Sequence, residues 1–128
     1  MGNLTGKSQV LKSFENDDEL DLHALSEFLS LKSPIEIRNG STEGIDYYVK
    51  ISKACGEGQD GYWEIKPGKT ERWMRCVYHR VTMKLATFAD DAGIIDSYDH
   101  IVKYNGHCNT FDVGSGKFKY TGPPGSCV

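Results

Sequence analysis

The chain has 128 residues, a formal net charge of −3, 38% hydrophobic residues and 11% aromatic residues. One domain with one core is the natural organisation at this length, and the slight excess of acidic residues argues against binding nucleic acid by charge alone. Because no run of about 18 apolar residues occurs, the sequence predicts no membrane-spanning helix.

The N-terminal part predicts an arm followed by a helix. Residues 1–14 are small and polar, which is typical of a flexible arm. An amphipathic helix is predicted over about 17–32, since Asn16 and Glu19 have the spacing of a capping box and Pro34 forbids continuation. Apolar residues recur there at helical spacing, at Leu20, Ala24, Phe28 and Leu31. We expect this helix to cover the sheet that follows.

From Ile35 onward the pattern changes to alternating apolar and polar residues, which is typical of half-buried antiparallel strands. Asn105-Gly106 predicts a tight hairpin between strands 99–104 and 107–113. Residues 15–128 are therefore predicted to form a single, mainly β domain, an antiparallel sandwich or open barrel of six to eight strands. The alternating runs are Ile35–Asn39, Ile45–Ile51, Tyr62–Ile65, Thr70–Phe88, Asp99–Tyr104, His107–Val113 and Lys117–Thr121.

A strip of aromatic and cationic side chains is predicted on the outer face of two of these strands. Its members are Tyr48 and Lys50 on one strand, and Tyr78, Arg80 and Lys84 on the other. Aromatic rings stack on sugars or bases, and cations bind carboxylate, sulfate or phosphate groups. The strip is thus a candidate ligand-binding surface, and the alternative is an ordinary solvated sheet face.

The two tryptophans are expected to differ in exposure. Trp63 shares a strand face with Ile65, which favours the core. Trp73 shares a face with Glu71 and Arg75, which favours partial exposure and adds Trp73 to the predicted ligand-binding residues.

In the register set by the predicted hairpin, Asp99 lies opposite Asp112. Two opposed carboxylates repel unless one is protonated or a cation lies between them. The pair predicts a Ca²⁺ or Mg²⁺ site, or an acid/base pair with His100. The alternative is a hairpin that frays before reaching these residues, and no other cofactor is expected.

The four cysteines favour disulfide bonds over a zinc site, because a Cys-x-x-His pair on a strand points to opposite faces. Three pairings are open, of which we prefer Cys55–Cys76 with Cys108–Cys127. Disulfides and the triplets at Asn3 and Asn39 predict a secreted or extracellular protein. Since the N-terminus lacks the apolar core of a signal peptide, a cytoplasmic protein made without a leader is the alternative.

Three successive segments resemble the opening strands of aegerolysins. They read Ile-x-Ile-x-Asn-x-Ser, Ile-x-Tyr-x-Val-x-Ile and Trp-x-Ile-x-Pro-Gly-Lys, from Ile35 to Lys69. Aegerolysins are small β-sandwich proteins, mostly fungal, that bind membrane sphingolipids and often act with a pore-forming partner. The resemblance covers about a quarter of the chain, which departs from the family in its N-terminal helix, its four cysteines and its two tryptophans. It implies recognition of a surface.

These features predict a non-enzymatic, lectin-like recognition protein that binds glycans or membrane lipid headgroups, with a defence or toxin role. One alternative is a small ribonuclease-like or metal-dependent hydrolase that uses His100 and nearby carboxylates. Another is a protein-interaction or inhibitor module. Self-association through sheet edges would fit any of the three.

Overall fold

The computed structural model describes residues 31–53, 58–104 and 109–122. Within these ranges the chain forms eight strands and one 3-10 turn at Asp91–Gly93. The predicted arm lies outside the described residues, as does the predicted helix up to its last two positions, and Lys32 already belongs to the first strand. The strands are β1 (Lys32–Arg38), β2 (Tyr47–Ile51), β3 (Trp63–Ile65), β4 (Thr70–Cys76), β5 (Arg80–Ala86), β6 (Ile94–Ile101), β7 (Asn109–Asp112) and β8 (Lys119–Tyr120).

The strands form two four-stranded sheets within one compact unit, residues 32–128. The first sheet has the order β4-β1-β7-β8 and the second has the order β3-β2-β5-β6. The prediction of a mainly β fold is confirmed, and neither sheet closes into a barrel. One pairing departs from the prediction, because β1 and β7 run parallel.

The core lies between the two sheets, where alternate residues of each strand meet. Ile35 and Ile37 of β1 are fully buried, as are Val49 and Ile51 of β2 in the opposite sheet. Their neighbours in strand, Glu36 and Lys50 among them, are half-buried on the outer faces. The apolar cluster draws on both sheets, so the sheets pack face to face as a sandwich.

The run from Thr70 to Phe88, which predicted one long strand, is divided at a corner. β4 belongs to the first sheet and β5 to the second, and the chain turns between them at Tyr78, whose φ is +62°. Hydrogen bonds hold the corner, because Tyr78 N donates to Val102 O at 2.7 Å and Val102 N donates to His79 O at 3.0 Å. No glycine or proline marks this turn, so the sequence carries no local signal for it.

The predicted hairpin around Asn105-Gly106 is wrong. β6 pairs with β5 in the second sheet, whereas β7 pairs with β1 and β8 in the first. Asp99 consequently lies opposite Thr82, and Asp112 lies opposite Arg38 and Lys119. The predicted opposition of Asp99 and Asp112 is therefore also wrong, because pairing with distant strands overrides the local turn signal; residues 105–108 themselves lie outside the described ranges.

Cys76, at the end of β4, is fully buried, and it is not a free thiol. The other three cysteines, Cys55, Cys108 and Cys127, lie outside the described residues, so their pairing stays a prediction. No helix in the described part of the chain has the length and apolar character needed to cross a membrane.

Candidate functional site

A polar cleft of about 590 Å³ opens at one end of the sandwich, between the β1–β2 connection and the β7–β8 turn. It is called the end cleft below. Its charged side chains are Glu43, Asp112 and Lys119. Five hydroxyl side chains also line it, those of Ser41, Thr42, Tyr47, Ser115 and Thr121. The end cleft therefore presents carboxylate, ammonium and hydroxyl groups within one concave surface.

Asn39 fixes the first wall of the end cleft. Its side chain is fully buried, and Nδ2 donates to Ile45 O at 2.7 Å and to Ile65 O at 2.8 Å. Its Oδ1 accepts from Ser41 N at 3.0 Å. Because both ends of the carboxamide are occupied, the β1–β2 connection is held to the second sheet. The same burial leaves no room for a glycan on this predicted acceptor.

Asp112 joins the two walls. Its Oδ1 accepts from Gly114 N at 2.7 Å and from Gly40 N at 3.3 Å. A Cβ atom on Gly114 would lie 2.4 Å from the carbonyl carbon of Gly40, so the two loops approach at a distance that excludes other residues. Arg38 Nε lies 3.9 Å from Asp112 Oδ2 and balances part of the charge. The floor of the end cleft is thus built from backbone and one carboxylate.

The sequence did not identify this site. Gly40, in the β1–β2 connection, and Asp112, at the end of β7, are 72 positions apart, and no pattern of residues links them. The one local signal is the clustering of Gly and Ser in both connections, which indicates turns rather than a binding site.

Four of the six predicted ligand-binding residues share one surface, the outer face of the second sheet. Tyr48 and Lys50 lie on β2, and Arg80 and Lys84 lie on β5, with Lys50 directly opposite Lys84. The predicted orientation of these four side chains is confirmed, since they are half-buried or exposed while their neighbours in strand are buried.

Two of the three cations of this face contact a neighbouring side chain. Lys84 Nζ lies 3.7 Å from Asp91 Oδ2, and Lys50 Nζ lies 5.7 Å from the centre of the Tyr62 ring. The Tyr62 hydroxyl donates to Asp91 Oδ1 at 2.7 Å; burial, followed by that hydrogen bond, raises the pKa of Tyr62 to about 12. Among the described residues, the guanidinium of Arg80 alone of these three cations makes no ion pair or cation–π contact. Of these three cations, Lys84 alone is paired with a carboxylate among the described residues, and Lys50 and Arg80 keep their positive charge.

The other two predicted residues lie elsewhere. Tyr78 sits at the corner between β4 and β5 and is 42% exposed. The expected exposures of the tryptophans are wrong, because Trp73 is 3% exposed and Trp63 is 47% exposed. Trp73 lies opposite Ile35 under the first sheet, whereas Trp63 belongs to a three-residue edge strand that leaves its ring uncovered.

His100 is buried and engaged in a polar network. Its Nε2 lies 2.7 Å from Asn109 Oδ1, and its ring packs edge-on against Phe111 with centroids 5.1 Å apart. Burial lowers the pKa of His100 despite the opposing hydrogen bond. Asn109 Nδ2 donates in turn to Pro34 O at 3.0 Å and Lys103 O at 2.9 Å. Among the described residues no carboxylate contacts the ring, so this network joins the two sheets rather than assembling an acid/base pair.

Asp99 and Asp112 belong to different sheets and have other partners. Thr82 Oγ1 donates to Asp99 Oδ1 at 3.0 Å. Within the described ranges, no group of three or more His, Cys, Asp or Glu residues is placed to hold a metal ion. The predicted Ca²⁺ or Mg²⁺ site has thereby lost the geometry on which it was based.

Comparisons with protein-family models, with curated proteins and with solved structures found no match to this chain. The resemblance of residues 35–69 to aegerolysins therefore stays a prediction.

Proposed function

We propose that this protein is a non-enzymatic recognition protein that binds glycans in the end cleft. The observation that carries the proposal is the combination of five hydroxyl side chains with carboxylate and ammonium groups in one cleft of about 590 Å³. Ligand sites in proteins commonly have volumes of about 300–1,000 Å³ and a few polar groups that fix orientation. A cleft of this size accommodates one or two sugar rings.

The chemistry of the end cleft favours a polyhydroxylated ligand over an anionic one. Sugar hydroxyls both donate and accept, and they can pair with Glu43, with Lys119 and with side-chain hydroxyls at once. Ile45, which is 36% exposed at the rim, offers apolar surface to the C–H face of a sugar ring. A phosphate-bearing lipid headgroup would instead need an excess of cations, and the end cleft has one ammonium group, that of Lys119, beside the carboxylates of Glu43 and Asp112.

Two lysines of the β7–β8 segment provide a matched test. Lys119, at the start of β8, lines the end cleft, whereas Lys117, in the preceding turn and also exposed, does not. A glycan array first identifies a ligand, and calorimetry then compares Lys119→Ala with Lys117→Ala. We expect Lys119→Ala to weaken binding about tenfold, because a hydrogen bond to a charged group contributes about 1.5 kcal/mol or more. Lys117→Ala should bind like the wild type.

The melting temperature should stay within about 1 °C for both variants, because neither lysine is buried. A folded protein that binds no glycan on the array would remove the proposal. Equal weakening by both variants would place any glycan binding outside the end cleft.

A further inference from the structure

A second concave site lies along the side of the sandwich, where the edge strands β3 and β4 of the two sheets face each other. It has a volume of about 140 Å³ and is lined by Gln59, Trp63, Glu71, Arg72 and Trp73. It is called the edge slot below. The chain contains two tryptophans, and both of them line the edge slot.

Three of these side chains point toward the space between the sheets. Partners in an antiparallel pair share a face, and Trp63 lies opposite Val49, Trp73 opposite Ile35 and Glu71 opposite Ile37. All three partners are fully buried core residues. The indoles and the carboxylate therefore project from the inner faces of two edge strands, where an apolar side chain would be the usual occupant.

Glu71 is the exceptional member of this set. It is half-buried on the inner side of β4, and no hydrogen bond or ion pair to its carboxylate is found among the described residues. The neighbouring cation, Arg72, is already paired with Glu36 on the outer face of the same sheet. A carboxylate that faces the space between two sheets without a partner invites a cation.

The indoles decide which kind of cation fits. Trp73 Nε1 donates to Gln59 Oε1 at 3.3 Å, so its polar group is occupied. Trp73 lines the edge slot but is 3% exposed, so it forms the buried back of the slot. The ring of Trp63 is 47% exposed. Indole faces attract weakly hydrated organic cations, above all quaternary ammonium groups. A divalent metal would need several more oxygen ligands than Glu71 and Gln59 supply.

We propose that the edge slot binds a methylated ammonium group, with Glu71 as its counter-ion, the exposed indole of Trp63 as its wall and the buried indole of Trp73 behind it. The size agrees, because a cavity of about 150 Å³ holds one molecule of benzene, and the edge slot has about 140 Å³. The site is separate from the end cleft, so the proposal is independent of glycan binding. A ligand of five or so heavy atoms is expected to bind with a dissociation constant on the order of millimolar.

The two indole N–H signals of ¹⁵N-labelled protein report directly on the edge slot. Titration with tetramethylammonium chloride should shift both signals in a saturable way. Sodium chloride at equal ionic strength and tert-butanol, a neutral molecule of similar shape, should not. Glu71→Gln should weaken binding about tenfold, and Trp63→Leu, which removes one wall at an exposed position, should weaken it by at least a few fold.

Glu64→Gln is the matched control, because Glu64 lies on the outer face of the second sheet and accepts from the Tyr48 hydroxyl. It should leave the titration unchanged. Phosphatidylcholine vesicles distinguish the sources of the ligand: binding to them in addition assigns a lipid headgroup, and binding of the free cation alone assigns a soluble ligand. No saturable shift, an equal response to tert-butanol, or undiminished binding by Glu71→Gln would each overturn the proposal.

Discussion

Replacing Arg75 with methionine tests how a charged side chain is tolerated inside this sandwich. Arg75 is 1% exposed, on the inner side of β4. Its guanidinium makes four hydrogen bonds to backbone carbonyls, those of Ile51, Ser52, Gln59 and Met74, at 2.6–2.9 Å. Three of these carbonyls belong to the segment between the end of β2 and the start of β3, so one side chain attaches that connection to the first sheet.

The expected loss of stability follows from two opposing contributions. Four hydrogen bonds from a charged donor, at about 1.5 kcal/mol each, would contribute about 6 kcal/mol. Methionine avoids the cost of burying a cation, and this offsets the loss of the hydrogen bonds by several kcal/mol. Burial also lowers the pKa of Arg75, although the guanidinium stays protonated at neutral pH. We therefore expect Arg75→Met to lower the free energy of unfolding by about 3 kcal/mol.

The assay is urea denaturation at 25 °C followed by tryptophan fluorescence, with the slope compared between variants. Arg72→Met on the same strand is the control, since the Arg72 side chain is 56% exposed and, among the described residues, pairs with Glu36 alone. That variant should lose no more than about 1 kcal/mol. Equal losses for the two arginines would show that the buried guanidinium does not hold the β2–β3 connection.

Three further outcomes follow from buried polar groups and close contacts. Burial lowers the pKa of His100, so the unfolded chain takes up its proton first as the pH falls; stability contributed by the neutral ring is complete above about pH 6.5 and is lost as the pH falls toward the lowered folded value. The difference in unfolding free energy between wild type and His100→Gln should therefore depend on pH between 7.5 and 5, and a constant difference would contradict this. Gly58→Ala should lower the free energy of unfolding more than Gly61→Ala. Both glycines have a φ of +116°, but only at Gly58 would an added Cβ collide with Arg75, 2.4 Å from Nη1. Equal urea midpoints for the two variants would refute the collision. Natively folded protein from a secretory host should carry no glycan on Asn39, whose side chain is fully buried, and a glycopeptide from that fraction by mass spectrometry would disprove the burial.

The strands could be predicted from the sequence, but their distribution between the sheets could not. Burial of alternate residues is a local property, so Ile35 and Ile37 identify β1 without further information. The corner at Tyr78 could not be predicted, because the inward-facing positions are odd-numbered on both sides of it, for example Trp73 and Val81. A pattern that continues in phase gives no sign that the chain has changed sheets.

For the candidate sites too, local features could be predicted and contacts between distant segments could not. Tyr48 and Lys50 were placed on an outer face because their strand alone decides that orientation. Arg75 and Trp73 were misjudged, since a charged neighbour normally indicates exposure, and here the charge is satisfied by carbonyls from a distant connection. The end cleft depends on two loops that meet only in the folded molecule, so no local pattern could have predicted it.

The parallel pairing of β1 with β7 has a consequence for the order in which the chain folds during synthesis. The second sheet is built wholly from residues 47–101, and β1 can already pair with β4, so much of the sandwich can form early. The other neighbour of β1, the strand β7, is synthesised late. Asn109 of β7 donates to the carbonyl of Pro34, which lies 75 positions earlier in the chain. Until residues 109–120 leave the ribosome, β1 presents a free edge beside the core positions of Ile35 and Ile37. Strands that wait for distant partners fold slowly and are exposed to aggregation, so a chain that stalls before residue 109 would be a natural substrate for chaperones.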